Sequence, residues 1–120
     1  MSARKFQKAS TEELVQWYAD GSIAYGQALE AADSRSANSA HDKVVGAYEE
    51  LRSRGATSQL IPLLKSEDET LRMHAAFHVL EFAPELSEPT LLWLAKRPGF
   101  VGFRAEHTLK AWREGTLKFT

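Results

Sequence analysis

The segment from Leu60 to Phe82 constrains the fold of this chain most strongly. Apolar residues at helical spacing occur on both sides of a polar break at residues 65–69, so the segment predicts two helices joined as a hairpin. A hairpin of this kind cannot bury its apolar faces by itself, and it needs further helices stacked on both sides. The segment therefore predicts an all-α fold built from packed helical hairpins.

Capping residues and glycines mark the ends of further helices. Ser10 and Glu13 have the spacing of a capping box at a helix start. Gly55 and Gly115 stand where left-handed helix ends are expected, each directly after an apolar stripe. Gly21 lies inside the first predicted helix, where glycine is unfavourable, and we expect a kink or a break near it.

These signals predict about six helices. They cover residues 11–32, 39–53, 59–64, 69–83, 88–96 and 100–113. The small polar segment 33–40 is interpreted as a linker and cap. Pro84 is expected to stop the fourth helix, and Ser87 to cap the fifth. Residues 1–9 are predicted to be a flexible N-terminus and residues 116–120 a C-terminal tail that either docks or frays.

The fourth predicted helix is apolar on nearly all sides. Leu71, Ala75 and Val79 form one stripe, and Met73 and Phe77 belong to a second. A helix with this pattern is expected to be buried, as the central element of the fold. The polar residues that interrupt its apolar surface are Arg72, His74, His78 and Glu81.

Two pairs of helices repeat part of their sequence. A pattern of Ala, His and Leu in the fourth helix returns 29 residues later in the sixth, the two sets being Ala76, His78, Leu80 and Ala105, His107, Leu109. A leucine-rich pattern in the first helix of each pair returns with an offset of 31. The different offsets indicate a degenerate repeat. We therefore predict one domain over residues 1–120, a short right-handed α-α superhelix in which two N-terminal helices cap two repeated hairpins.

Short motifs distributed over residues 11–117 support this architecture. They are Asn38, ELRSRG at 50–55, LIPLL at 60–64, Asp68, Leu71-Arg72, Ala75-Ala76, Pro84, GFRA at 102–105, Leu109, Trp112 and Gly115. On these residues the chain resembles a family of small bacterial proteins, classed as a domain of unknown function, with an armadillo/HEAT-like fold. The resemblance implies HEAT/armadillo-like helical hairpins but no established activity. It also implies that Arg72 has a structural role and pairs with Asp68 or a loop carbonyl.

Composition limits the classes of function. The chain has no cysteine, which excludes disulfides, thiol catalysis and thiolate metal sites. Its 15 basic and 16 acidic residues give no bulk attraction to nucleic acid or anionic lipid. No run of apolar residues is typical of a signal peptide or a membrane span, so we expect a soluble, cytoplasmic protein without membrane association.

The charge is unevenly distributed along the chain. From Lys96 onward there are six basic and two acidic residues, a local net charge of +4. A polarised surface of this kind favours an acidic partner weakly. The alternative interpretation is a solvated helix face without any binding role.

Three histidines are candidate metal ligands. His74 and His78 are four residues apart, on one helical face with Glu81, and the repeat places His107 on the next helix of the same layer. The same stripe also suits the polar positions of an otherwise buried helix, and no His-Glu-x-x-His motif accompanies it. We therefore predict no metal and no cofactor, with these three histidines as the weak candidates.

Trp93 departs from the apolar stripe of its helix. The residues of that helix expected to face the core are Leu91, Leu92 and Leu94. Trp93 would then point elsewhere and form an exposed aromatic patch of the composition that protein interfaces favour. The neighbours that would complete the patch are Phe100, Phe103, Arg97 and Arg104. Packing of Trp93 on the sixth helix or the tail is the alternative.

No motif for catalysis occurs in the sequence. There is no glycine-rich phosphate loop, no Gly-x-Ser-x-Gly pattern and no calcium loop. His41 and Asp42 form a polar pair at a predicted helix start, where the helix dipole already favours an acidic residue. The chain is therefore predicted not to be an enzyme.

The sequence predicts a non-enzymatic protein-interaction module of adaptor or immunity type, with an unidentified protein partner. Its predicted contact residues are His74, His78, Glu81, Trp93, Arg97, Arg104 and His107. The alternative is a HEAT-like scaffold that binds a small ligand, a metal or nucleic acid, with or without enzymatic activity. Nucleic acid is disfavoured by the net charge of −1. We expect a monomer or a weak homodimer.

Overall fold

The structure, a computed structural model, describes residues 3–119, which form seven helices and no strand. The helices are α1 (Ala3–Lys8), α2 (Thr11–Glu30), α3 (Ser34–Ser53), a 3₁₀-helix (Thr57–Lys65), α4 (Glu69–Val79), α5 (Pro84–Leu94) and α6 (Gly99–Glu114). This confirms the all-α prediction. Within residues 3–119, every helix is too short or too polar to cross a lipid bilayer.

The chain divides into two compact units, Met1–Gln59 and Leu60–Thr120. In the first unit α2 packs on α3. In the second unit α4 packs on α5, α5 packs on α6, and α4 also contacts α6. Consecutive helices therefore form hairpins within each unit. The single domain expected over residues 1–120 remains a prediction.

Helix α2 continues through the glycine where we expected a kink. It starts with the predicted capping box, in which the Glu13 N–H donates to the Ser10 hydroxyl at 3.1 Å and the Ser10 N–H donates to the Glu13 carboxylate at 2.9 Å. Gly21 faces α3, and a Cβ at this position would lie 2.9 Å from Val44 Cγ2 and 3.2 Å from the Ala40 carbonyl oxygen. The glycine therefore allows close packing of two continuous helices.

Helix α3 begins at Ser34, well before residue 39 where its start was predicted. The Asp33 carboxylate accepts hydrogen bonds from the Ser36 hydroxyl at 2.7 Å and the Ser36 N–H at 3.1 Å. The same bonds lower the pKa of Asp33 below its ordinary value. Most of the segment interpreted as a linker is therefore the first part of a capped helix.

Large side chains from α2 and α3 fill the core of the first unit. Those with almost no exposed surface are Leu14, Tyr18, Tyr48 and Leu51. Burial, with a smaller contribution from Tyr48, raises the pKa of Tyr18 well above its ordinary value. The phenol therefore stays neutral in the folded protein.

Helix α1 lies in the segment that we expected to be a flexible N-terminus. The Phe6 side chain is only 7% exposed, and its ring meets the Trp17 ring edge-on with a centroid distance of 5.8 Å. Gly46 of α3 makes room for it, because a Cβ there would lie 2.4 Å from Phe6 Cζ. Burial of the phenyl ring offsets the conformational entropy lost by ordering this short helix. Residues 1 and 2 of the predicted segment lie outside the described residues.

The guanidinium group of Arg54 caps the C-terminal end of α1. Its Nη2 atom lies 3.2, 3.1 and 2.7 Å from the carbonyl oxygens of Phe6, Gln7 and Ala9. Its Nε–H donates to the Glu50 carboxylate at 2.9 Å. The last carbonyls of a helix have no partner within the helix, so a cation at this end satisfies them. Arg54 therefore fastens α1 to the end of α3.

We expect Arg54→Ala to lower the free energy of unfolding by about 2 kcal/mol, because a hydrogen bond to a charged group contributes roughly 1.5–3 kcal/mol. Urea unfolding followed by circular dichroism measures the change. Arg35→Ala, at an exposed position of α3, is the matched control. Hydrogen exchange should show lost protection in α1 for Arg54→Ala alone. Equal stability of the two variants would contradict a capping role.

Residues Thr57–Lys65, most of which belong to the second unit, form a 3₁₀-helix and not the α-helix predicted for residues 59–64. The helix starts earlier than predicted, so Pro62 lies beyond its first turn. In an α-helix the proline ring at this place would clash with the carbonyl group four residues earlier. Leu60 and Leu64 are buried, at 0% and 8% exposure, so the segment turns these apolar side chains inward.

Pro84 begins α5 and also limits α4. Helix α4 ends at Val79, earlier than the predicted residue 83. Ala83 has the backbone angles φ −142° and ψ 64°, which lie outside the α region that a following proline disfavours. Because the proline opens the helix, Ser87 lies inside α5 and does not cap it. Its buried hydroxyl donates to the carbonyl oxygen of Ala76 in α4.

Helix α4 is buried on nearly all sides, as predicted. Its residues with at most 5% exposure are Leu71, Met73, Ala75, Ala76 and Val79. Helix α5 contributes Leu91 and Leu94, both fully buried, whereas Leu92, which we expected to face inward, is 44% exposed. Leu91 and Leu94 are three residues apart and share one face of α5. Leu92 directly follows Leu91 and therefore points away from that face.

Helix α6 ends as predicted, with Gly115 in the left-handed conformation at φ 75°. In the following tail the Phe119 ring lies 5.4 Å from the Phe77 ring of α4. The tail therefore docks on α4 at this residue. Residue 120 of the predicted tail lies outside the described residues.

Gly102 brings the first turn of α6 against the end of α5. A Cβ at this position would lie 1.8 Å from the carbonyl oxygen of Arg97 and 3.4 Å from that of Ala95. The obstacle is backbone, which cannot move aside as the tip of a long side chain can. This contact requires glycine at residue 102.

We expect Gly102→Ala to lower the free energy of unfolding by roughly 2 kcal/mol or more, because the added methyl group overpacks against backbone. The sign of this stability change is diagnostic, because at an ordinary position inside a helix alanine is more stabilising than glycine by up to about 1 kcal/mol. Thermal unfolding of Gly102→Ala beside Glu106→Ala, an exposed site on the same helix, tests this. A stabilised Gly102→Ala would disprove the close approach.

Candidate functional site

Trp93 is presented outward by α5. Leu91 and Leu94 hold the helix against the core with no exposed surface, whereas Trp93 is 47% exposed. This confirms the expectation that Trp93 points away from the core. A large aromatic ring left half in water gains apolar burial when another molecule covers it.

Two arginines place their guanidinium groups on the Trp93 ring. The guanidinium carbon of Arg72, from α4, lies 4.8 Å from the ring centroid, and that of Arg97, from the turn after α5, lies 5.4 Å from it. Both distances fall within the range of cation–π attraction. We call Arg72, Trp93, Arg97 and the Glu69 carboxylate that binds Arg97 the Trp93 cluster.

Each arginine of the Trp93 cluster is held through Nε. The Arg72 Nε–H donates to the Leu64 carbonyl oxygen at 2.9 Å, and the Arg97 Nε–H donates to the Glu69 carboxylate at 2.9 Å. Within residues 3–119, no hydrogen bond engages the terminal Nη atoms of either arginine. Each guanidinium group is therefore oriented by its Nε–H bond and retains N–H donors on its Nη atoms.

Arg72 has one of the two partners that the resemblance implied, a backbone carbonyl. Asp68, the other, caps α4 by accepting the Leu71 N–H at 2.9 Å. As the N-cap, the Asp68 carboxylate is engaged by a backbone N–H group of its own helix. Arg72 is thereby directed to the end of the 3₁₀-helix, and its guanidinium group reaches Trp93.

An open cleft of about 380 Å³ adjoins the Trp93 cluster. Its lining residues are Arg72, Pro89, Thr90 and Trp93. Pro89 and Trp93 are four residues apart on α5 and form an apolar wall, while Thr90 and Arg72 supply a hydroxyl and a cation. The cleft is near the small end of the range of ligand sites. Its lining can hold an apolar side chain next to a polar or anionic group.

The other residues of the predicted aromatic patch form contacts on α6. The guanidinium carbon of Arg104 lies 5.6 Å from the centroid of the Phe100 ring. Phe103 is 60% exposed, and its ring centroid lies 4.3 Å from that of His107. Arg104 and His107, both predicted contact residues, therefore each contact one aromatic ring of α6; His107 is exposed and Arg104 is half-buried.

The predicted histidine stripe is mostly inside the protein. His74 and His78 are 8% and 6% exposed, and the His78 ring meets the Phe77 ring edge-on at 4.9 Å. His107 and Glu81 are exposed. Among residues 3–119, no group of three His, Asp or Glu side chains is placed to hold a metal ion. The three candidate histidines are therefore not gathered into one ligand set, and two of them are poorly placed to contact a partner.

Sequence reasoning missed four residues of this site. They are Glu69, Arg72 as a member of the site, Pro89 and Thr90. The four-residue spacing of Pro89 and Trp93 was a usable signal, because it places both on one helical face. The contact of Arg72 with Trp93 joins two different helices, and no local spacing indicates it.

No protein-family model, curated protein or solved structure was found to match this chain. The resemblance inferred from the sequence therefore stays a prediction.

Replacing Arg72 should disturb both the fold and Trp93. Arg72→Lys keeps the charge but loses the Nε–H bond to Leu64, so we expect the free energy of unfolding to fall by about 1–2 kcal/mol. In a Trp17→Phe/Trp112→Phe background, Trp93 emission should shift to longer wavelength and acrylamide should quench it more strongly. Arg113→Lys, whose guanidinium group pairs with Glu88 on the surface, should change neither measurement. Unchanged Trp93 emission in Arg72→Lys would contradict the stacking.

Proposed function

We propose that this chain is a non-enzymatic protein-interaction module whose contact surface centres on the Trp93 cluster. The observation that supports this most directly is a half-exposed tryptophan with two guanidinium groups on its ring. Tryptophan and arginine are the residues most enriched among those that dominate binding energy at interfaces. Because hydrogen bonds already orient both arginines, little side-chain entropy would be lost on binding.

The scaffold that we propose for this surface is a short right-handed α-α superhelix of HEAT/armadillo-like hairpins. The hairpin packing of α4, α5 and α6 and the degenerate repeat support it. Ala76 and Ala105, equivalent in that repeat, are both fully buried and allow close approach of the helices. Such scaffolds present neighbouring helices as one continuous binding surface. Adaptor and immunity-type proteins are both versions of this proposal.

The chemistry of the cleft favours binding over catalysis. Catalysis by general acid or base needs a side chain that can exchange a proton, held within hydrogen-bond distance of a substrate. The cleft is lined by an arginine, a proline, a threonine and a tryptophan, none of which serves readily as a general base. The Glu69 carboxylate is already paired with Arg97.

Affinity capture with single-site variants tests the proposed function. Wild type, Trp93→Ala and Phe103→Ala are immobilised and exposed to lysate of the cells that make the natural protein, and bound proteins are quantified by mass spectrometry. We expect a partner that Phe103→Ala retains and that Trp93→Ala loses by at least about tenfold, the size of effect typical of a dominant interface residue. Circular dichroism first establishes that all three are folded. Identical bound proteins for all three would contradict the proposal.

A further inference from the structure

We propose that the Trp93 cluster binds an acidic peptide segment of a partner protein. An Asp or Glu carboxylate of the segment lies on the Nη donors of Arg72 and Arg97, and a neighbouring apolar side chain occupies the cleft beside Trp93. This inference rests on the proposed function and specifies the chemistry of the partner.

The free edges of the two guanidinium groups are the first reason. Arg72 and Arg97 each use Nε for a hydrogen bond to another residue of the chain, and their Nη atoms form no hydrogen bond within residues 3–119. Arginine donors form a planar fork that matches the two oxygens of a carboxylate. The Glu69 carboxylate on Arg97, 2.9 Å from Nε, demonstrates that an acidic group is accommodated at this exposed place.

The local charge balance is the second reason. Two guanidinium groups and one carboxylate meet at the Trp93 cluster, so one positive charge is left uncompensated. A single carboxylate neutralises that charge, whereas a phosphate dianion would leave an excess of negative charge. A broad stripe of cations, as nucleic-acid binding requires, is not indicated by a chain with net charge −1. The balance therefore favours a carboxylate.

The cleft explains why the ligand is a peptide and not a free carboxylate. Pro89 and Trp93 form an apolar wall next to Arg72, and the Thr90 hydroxyl can donate to or accept from a peptide group. A side chain adjacent to the acidic residue would bury part of the exposed tryptophan ring. The local charge of +4 from Lys96 onward would also speed the approach of an acidic segment.

Peptide selection tests the inference without knowledge of the natural partner. Random twelve-residue peptides displayed on phage are selected on the immobilised full chain, and the best are synthesised with a fluorescent label. We expect the selected sequences to be enriched in Asp or Glu next to an apolar residue or proline. Affinity should fall as salt is raised, and the indole N–H signal of Trp93 should shift on binding in NMR spectra.

Matched changes in the peptide and the protein then test the carboxylate contact. Exchanging the acidic residue of the peptide for its amide, and Arg97→Gln in the protein, should each weaken binding about tenfold, as loss of a charge-assisted hydrogen bond does. Arg113→Gln is the control, because this arginine is paired on the surface with Glu88. Arg97→Gln is preferred to Arg72→Gln, since Arg72 also holds the 3₁₀-helix and its loss can unfold the unit.

The outcomes separate this inference from the proposed function. Peptides that need Trp93 but bind Arg97→Gln and the amide form equally well would overturn the acidic chemistry and leave the proposed surface intact. Peptides that bind Trp93→Ala as well as wild type would overturn both. Tighter binding of a phosphoserine version of the peptide, or of a single-stranded DNA oligonucleotide, than of the acidic peptide would also overturn the carboxylate assignment.

Discussion

The Arg72 side chain connects three helices through residues of the Leu60–Thr120 unit. It originates on α4, donates through Nε to the Leu64 carbonyl near the end of the 3₁₀-helix, and lies on the Trp93 ring of α5. The last carbonyls of a helix need an outside donor, so this bond has a structural purpose. It also fixes the plane of the guanidinium group beside the cleft. Arg72 therefore contributes both to the fold and to the candidate site. Arg97 is exposed beyond the end of α5, so a substitution there can change binding without changing the stability of the fold.

Sequence reasoning succeeded where a structural feature depends on residues close in the chain. The capping box of Ser10 and Glu13 and the left-handed Gly115 follow from backbone groups within a few positions. It was less accurate where two local signals competed. Asp33 begins a helix although the serines after it suggested a linker, and Pro84 opens α5 although it was interpreted mainly as a stop. In both cases one residue that favours the start of a helix had more effect than the composition of the neighbouring residues.

The candidate site was only partly predictable, because its members come from different helices. Trp93 was found because it departs from the stripe of α5. The position of Arg72 on its ring depends on how α4 and α5 pack, which periodicity does not specify. The burial of two of the candidate histidines was not predictable for a related reason. Polarity suggested an exposed stripe, yet α4 is enclosed on nearly all sides, and His74 and His78 are buried there and interact with their surroundings.

The ion pair between Glu69 and Arg97 is better explained by positioning than by stability. Both side chains are partly exposed, at 32% and 44%, and pairs of this kind contribute only about 0–1 kcal/mol. The pair nevertheless fixes one edge of a long, flexible side chain close to Trp93. Fixing the side chain in advance lowers the entropy cost of a later contact with its other edge. A stronger, buried pair would hold Arg97 equally well but would compete with any acidic ligand, so the observed exposure suits a binding surface.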